Sequence, residues 1–372
     1  YVTIVETPTV NQPASQVVCN GNLTTAVSFT GTPNGVEFKW TNNTPSIGLA
    51  ANGMGNIAAF TAINTGNAPI VATITVTPEY SANGITCFGA AKTFTFTLNP
   101  TPTVADPPDQ SVCAGQPTAA VNFSGNVSGT VFKWTNNNTS IGLAAAGTGN
   151  IASFIGVNNG LIPVVATISV TPEYTNGMVT CTGASQTFTI TVNPLPQLFN
   201  ITGQTLYCNP NDPGAPVGLS GSEIGVNYQL FRNGTPVGAP IAGTGGALDF
   251  GLRPAGTYTV VATRVAGGCT RTMNGSLVIQ SMVCTIEIAD PCSCKNNATN
   301  LVNGQFDERI KLNAPSWQNW TVKSVSGLYR NNSPAPPAAP NPVLNGSAFN
   351  PLGGNMFDLN GVLVDAIGYT IT

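Results

Sequence analysis

A repeat with a period of 94 residues occupies the first half of the chain. Residues 8–99 align with residues 102–193 without a gap, and 53 of the 92 aligned positions are identical. This period is about twice that of common solenoid repeats, whereas it matches the length of a complete β-sandwich domain. The sequence therefore predicts two copies of one module, each folding around its own core.

Within each copy, apolar residues alternate with threonine. Phe94, Phe96 and Leu98 are separated by single threonines, and the second copy repeats this pattern. Because successive side chains of a strand point to opposite faces, the pattern predicts half-buried strands with threonine on the outer face. Trp40 and Trp134, at equivalent positions of the two copies, are predicted to fill the cores.

Composition also favours an all-β fold. The chain contains 41 Gly and 29 Pro, residues that suit tight turns between short strands, and no stretch keeps a helical apolar period. Charged residues make up only 7% of the chain and the net charge is −3, so the basic surface needed for nucleic-acid binding is missing. The longest apolar runs fall far short of the ~20 residues of a membrane-spanning helix.

The domain organisation follows from the repeat and from the strand and turn signals. Short junctions containing proline, at residues 99–102 and 193–196, separate the modules and favour an extended rod. The predicted segments are 1–5, the last strand of a preceding repeat; 6–99 and 100–196, the two copies; 197–283, a third sandwich; and 284–372, a β-rich C-terminal module that is expected to be truncated.

The nine cysteines are expected to form disulfides within modules. The predicted bonds are Cys19–Cys87, Cys113–Cys181, Cys208–Cys269 and Cys284–Cys294, which leaves Cys292 without a partner in the chain. Such bonds persist in oxidising environments, so the protein is predicted to be extracellular or at the cell surface. A zinc site formed by Cys284, Cys292 and Cys294 is the alternative for the last three.

We find no pattern typical of an enzyme. The chain has no histidine and therefore lacks the commonest general base and the Ser–His and Cys–His nucleophile pairs. Its acidic residues are scattered, so no catalytic, cofactor-binding or metal-binding residue is predicted apart from that zinc alternative. Lys39 with Glu79, and Lys133 with Glu173, are interpreted as surface ion pairs, with a buried Lys–Asn isopeptide bond as the alternative.

Trp317 is a candidate for contact with a glycan. It lies beside a proline in a predicted loop of the last segment, and aromatic faces can stack on sugar rings. The alternative is that this tryptophan packs in the core of its module.

Several motifs recur in both copies, either unchanged or with a single substitution. They are Val18–Gly21, Phe38–Asn43, Ser46–Ala50, Ala72–Pro78 and Thr86–Cys87. With these motifs, residues 1–196 resemble the PKD-like repeats of Bacteroidota surface proteins, and residues 198–283 look like the Ig-like modules found beside them. The last segment is more loosely similar to further modules of the same giant proteins.

The resemblance implies tandem Ig-like and PKD-like antiparallel β-sandwich modules in an extended rod. It also implies export by the type IX system, attachment at the cell surface, and roles in adhesion, gliding or extracellular filaments. The implied partners are neighbouring modules of the same giant chain, with surface glycans or other copies of the chain as further candidates, and no cofactor is implied. The predicted function is a structural or adhesive stalk segment without catalysis. The alternatives are glycan-binding accessory modules of a secreted polysaccharide-degrading enzyme, or a self-assembling filament subunit that pairs strands between chains.

Overall fold

The computed structural model describes residues 5–208, 213–288, 293–294, 305–315, 325–330, 350–353 and 356–371. Over these ranges the chain is all-β, with two single 3-10 turns at Pro45–Ile47 and Thr139–Ile141. None of the described segments is a helix long and apolar enough to cross a membrane. The chain divides into two compact units, Tyr1–Pro194 and Leu195–Thr372.

The first repeat contains one six-stranded sheet. Its strands are β1 (Gln16–Cys19), β2 (Glu37–Asn42), β3 (Asn52–Met54), β4 (Ile70–Ala82), β5 (Ile85–Phe88) and β6 (Lys92–Asn99). Their order across the sheet is β1-β6-β4-β2-β3, and β5 pairs with the far part of β4. The pairs are antiparallel except at the edge, where β1 runs parallel to β6.

The second repeat reproduces this sheet strand by strand. Its strands are β7 (Gln110–Cys113), β8 (Val131–Asn136), β9 (Ala146–Thr148), β10 (Val164–Asn176), β11 (Val179–Thr182) and β12 (Gln186–Asn193). Each begins and ends 94 residues after its counterpart. The order is β7-β12-β10-β8-β9 with β11 on β10, and the loops between equivalent strands have equal lengths, in agreement with the gapless alignment.

The alternation with threonine produces the cores of both repeats. Ala72, Ile74 and Val76 of β4 are fully buried, and the intervening threonines are partly exposed. Trp40 and Trp134 are each 7% exposed and belong to the two core clusters.

The layer opposite each sheet is less regular than a complete second sheet. In the first repeat, it consists of loop segments that contribute Val27, Phe29 and Ile57 to the core. Only isolated bridges, such as the one between Val27 and Ile57, join these segments within the described residues. The sandwich therefore has one continuous sheet packed against mostly irregular backbone.

The second unit begins with a two-sheet sandwich. Its strands are β13 (Ile201–Gly203), β14 (Leu206–Cys208), β15 (Ala215–Leu219), β16 (Val226–Arg232), β17 (Thr235–Ala242), β18 (Leu248–Arg253), β19 (Gly256–Arg264), β20 (Thr270–Thr272) and β21 (Leu277–Met282). One sheet has the order β13-β15-β18. The other has the order β14-β21-β19-β16-β17 with β20 on β19, which is the arrangement of the sheets in the first unit.

A further sheet follows. Its strands are β22 (Thr285–Ile288), β23 (Ser293–Cys294), β24 (Gln305–Asn313), β25 (Val325–Arg330), β26 (Asn350–Gly353) and β27 (Met356–Ile371). The order is β22-β24-β27-β25, with β23 on β24 and β26 on β27.

Candidate functional site: the covalent junction between the two repeats

The two cysteines of each repeat lie at opposite ends of its sheet. Cys19, the last residue of β1, is level with Asn99 and therefore lies at the Ile70 end of β4. Cys87 on β5 lies opposite Tyr80, ten residues further along β4. Ten residues of a strand span roughly 33 Å, whereas a disulfide needs Cα atoms within about 7 Å. The predicted bond Cys19–Cys87 is therefore wrong, and the identical second sheet rules out Cys113–Cys181 in the same way.

The disulfide that does form joins the two repeats. Cys19 of the first repeat is bonded to Cys181 of the second, with 5.5 Å between the Cα atoms. Cys181 is only 3% exposed. Cys113 is also disulfide-bonded. Its partner is not Cys181, as predicted, because Cys181 is bonded to Cys19. Cys87, predicted to be bonded, is a half-buried free thiol.

Two asparagines connect the repeats beside this bond. Asn99, which is completely buried at the end of β6, donates from Nδ2 to the backbone oxygen of Asn176 at 3.2 Å. Asn176, the last residue of β10, donates from Nδ2 to Oδ1 of Asn99 at 2.8 Å. The reciprocal bonds fix the end of the first sheet against the β10–β11 hairpin, since a buried amide left unpaired is costly.

The tip of that hairpin lies directly against β1. Gly177 has a φ of +55°, and a Cβ placed there would lie 2.9 Å from Cγ2 of Val17. A glycine at this position therefore allows the turn and also the close approach of the two repeats.

The linker between the repeats is tied to both of them. Asn20 of the first repeat donates from Nδ2 to Oγ1 of Thr101 in the linker at 3.0 Å. Asn126 of the second repeat accepts from the backbone nitrogen of Thr103 at 2.8 Å, and its Nδ2 lies 3.3 Å from Oδ1 of Asn67.

The chain enters each repeat at the hairpin end of the sheet. A Cβ on Gly89, just beyond β5, would meet the backbone oxygen of Pro8, and one on Gly183 would meet that of Pro102. From Pro8 the chain runs along the edge of the sheet to Cys19, where β1 lies beside the end of β6. The first segment of a repeat therefore spans the module from its entrance to its exit.

The third sandwich contains a disulfide that was predicted incorrectly. Cys208, on β14, is bonded to Cys284 with 5.4 Å between the Cα atoms. Cys208 pairs in register with Met282 of the parallel strand β21, so Cys284 is near. Cys269 lies at the other end of β19, where its backbone oxygen accepts a hydrogen bond from the nitrogen of Arg264. It is disulfide-bonded to a residue other than Cys208, so the predicted bond Cys208–Cys269 is wrong.

This bond also replaces the prediction for the last cysteines. Cys284 cannot pair with Cys294, nor can it supply a thiolate to the alternative zinc site, because it is bonded to Cys208. Cys294 lies on β23. Cys292, Trp317 and the side chain of Cys294 lie outside the described residues.

The repeated charges form ion pairs at the surface. Lys39 contacts Glu79, and Nζ of Lys133 lies 2.6 Å from Oε2 of Glu173. Both lysine side chains are about half exposed, at 52% and 55%, so neither is in the buried setting that an isopeptide bond requires.

Sequence reasoning missed a third ion pair, in the third sandwich. Arg264 lies 3.1 Å from Glu223, and both side chains are largely buried. Burial raises the pKa of the neighbouring Tyr228, whose hydroxyl accepts from the nitrogen of Glu223. The ion pair holds the loop before β16 against β19, so its role is structural.

No protein-family model matches the chain, and no curated protein matches it in sequence. Among solved structures, Sidekick-1 immunoglobulin domains 1–5 are 13% identical, covering 95% of this chain and 75% of that one, with a TM-score of 0.31. The N-terminal four Ig domains of Dscam1 isoform 1.9 are 12% identical, covering 75% and 74%, with a TM-score of 0.24. Drosophila N-cadherin EC1-4 is 10% identical, covering 80% and 94%, with a TM-score of 0.25. The all-β class itself rests on the strands and sheets described above.

Proposed function

We propose that this chain is a load-bearing segment of an extracellular or cell-surface stalk, with a structural role in adhesion. Disulfides that tie modules together need an oxidising compartment, which supports the location. The observation that carries the proposal is the bond between Cys19 and Cys181, because tension along the chain can pass through this covalent bond.

Force applied along the chain meets a short covalent path through the first unit. From the entrance of the first repeat, tension passes along residues 8–19, crosses the disulfide to Cys181, and continues through β12 to Asn193. Residues 20–180 contain most of both repeat cores and lie outside this path, whereas Val10 and the β12 core residues lie on it. The hydrogen bonds within residues 20–180 therefore do not have to resist the tension.

The third sandwich is protected in the same way by Cys208–Cys284. The two bonds close loops with sequence separations of 162 and 76 residues. At about 3.5 Å per extended residue, these loops withhold roughly 800 Å of chain from extension. A stalk built in this way resists stretching even when a module unfolds.

Single-molecule force spectroscopy on the full chain, held at both ends, tests this proposal. We expect the oxidised chain to reach its limit of extension roughly 800 Å earlier than the same chain in reducing buffer. The double variant Cys19→Ser, Cys181→Ser should lengthen the extension of the oxidised chain. Cys87→Ser is the matched control and should leave it unchanged, because this thiol is free. Equal extension with and without reductant would refute the load-bearing role.

The repeat motifs support a narrower identity within this proposal. We infer a PKD-like surface protein of Bacteroidota, exported by the type IX system, whose partners are neighbouring modules of the same giant chain. A glycan-binding role at Trp317 gains no support from the described residues, so we do not propose it.

A further inference from the structure

We propose that Cys87 is a covalent docking site for the first-strand cysteine of an additional repeat of the same type, which precedes this one in the polypeptide. The bond would join that cysteine to Cys87 as Cys19 is joined to Cys181. This inference goes beyond the load-bearing role and does not depend on it.

The first observation is the equivalence of Cys87 and Cys181. Cys87 pairs in register with Tyr80 on β4, and Cys181 pairs with Tyr174 on β10, 94 residues later. The two thiols therefore occupy the same place on the same hairpin. In the second repeat, the thiol at this position, Cys181, is bonded to Cys19, the first-strand cysteine of the preceding repeat.

The second observation is the surface around Cys87. Ile85 is 47% exposed on the strand that carries the free thiol. In the second repeat, where the hairpin is covered by β1, Val179 is half-buried and Cys181 is 3% exposed. The hairpin of the first repeat thus presents an apolar side chain and a thiol at the position where its counterpart binds a neighbour.

The third observation is the place where the chain enters. Backbone oxygens of Pro8 and Pro102 lie in the same position beside Gly89 and Gly183, two residues after the hairpin cysteines. The last strand of a preceding repeat would therefore end next to Cys87. An asparagine there, equivalent to Asn99, could donate to the carbonyl of Ala82 as Asn99 does to Asn176.

A second copy of this chain cannot offer a first-strand cysteine to Cys87. Its first-strand cysteines are Cys19, Cys113 and Cys208, and all three are already disulfide-bonded. The donor must be a repeat whose first-strand cysteine has no other partner, which an additional repeat provides.

The bond forms by thiol–disulfide exchange with an oxidant of the disulfide class. The two cysteine thiols lose two protons and two electrons and become joined through a new S–S bond. The oxidant takes up both electrons and both protons as its own S–S bond breaks, giving two thiols. Oxidised glutathione is the oxidant used in the test below.

The test extends the full chain by one repeat. A second copy of residues 8–101 is inserted directly before Pro8, which reproduces the natural junction between Thr101 and Pro102. The protein is oxidised in a glutathione buffer, labelled with a thiol reagent without reduction, and mapped by mass spectrometry. We expect label on Cys87 in the unextended chain. In the extended chain, label on Cys87 should fall at least tenfold and appear instead on the cysteine equivalent to Cys87 in the added copy.

The control is the extended chain with Cys19→Ser in the added copy, in which Cys87 should remain labelled. A peptide that links the added Cys19 to Cys87 supports the proposal. Three results would overturn it: undiminished label on Cys87 in a folded extended chain, a bond from Cys87 to any other cysteine, or an unreactive Cys87 in the unextended chain. Far-ultraviolet circular dichroism establishes that the added repeat is folded.

Discussion

Each buried tryptophan of the repeats faces a glycine across the sheet. Trp40 pairs in register with Gly53, and Trp134 pairs with Gly147. A Cβ on Gly53 would lie 2.1 Å from a ring carbon of Trp40, and one on Gly147 would lie 2.2 Å from Trp134. The indole ring thus covers the glycine, and the tryptophan keeps its position only while that residue has no side chain.

Substituting this glycine is therefore expected to destabilise the first repeat. In Gly53→Ala the ring of Trp40 must move within a packed core, which should lower the free energy of unfolding by about 1–3 kcal/mol. Urea unfolding followed by tryptophan fluorescence measures the change. Asn52→Ala, at an exposed neighbouring position on β3, is the matched control and should have a much smaller effect. Similar losses from both variants would show that the glycine has no special role.

At the scale of elements, one equivalent position before the first strand bonds to the last strand in both repeats. In the first repeat, Oγ of Ser15 accepts from the nitrogen of Thr95 at 3.0 Å. In the second repeat, the equivalent residue is Asp109, whose Oδ1 accepts from the nitrogen of Thr189 at 2.6 Å. That backbone hydrogen bond, together with a side-chain bond from Thr189, lowers the pKa of the Asp109 carboxyl below its ordinary value.

The lowered pKa makes this attachment sensitive to acid. Folding favours the charged carboxylate, so its stabilisation is present above the unfolded pKa and is lost as the pH falls below about 4, through the folded pKa. Asp109→Ser, which installs the residue of the first repeat, should remove this contribution. We expect the difference in urea midpoint between native protein and variant to shrink between pH 5 and pH 3. A difference that stays constant over this range would contradict the assignment.

The strands themselves could be predicted from sequence because their alternation is local. Threonine and apolar residues at every second position of β4 and β6 fix which faces are buried, and the structure has the same faces buried. The parallel edge pair of β1 and β6 carries no such signal, since β1 is only four residues long. Without that pairing, the end of the sheet at which Cys19 lies could not be known.

At the scale of the whole molecule, the repeat predicts that the two copies form the same sheet, but it does not predict how the copies are joined. Pairing cysteines within a module assumed that they were close because the module is small. The thirteen-residue strand β4 separates them, and the next repeat brings Cys181 to Cys19.

The junction should also stabilise the two repeats against unfolding. Closing a loop with a sequence separation of 162 residues restricts the unfolded chain, and the chain-entropy model values this at up to about 5 kcal/mol. The double variant Cys19→Ser, Cys181→Ser should therefore unfold at a lower urea concentration than the native chain in oxidising buffer. In reducing buffer the two proteins should unfold together, since neither then has the bond. Cys87→Ser should match the native chain under both conditions. If the double variant and the native chain unfolded at the same urea concentration without reductant, the bond would contribute nothing to stability, and the asparagines and linker contacts alone would hold the repeats.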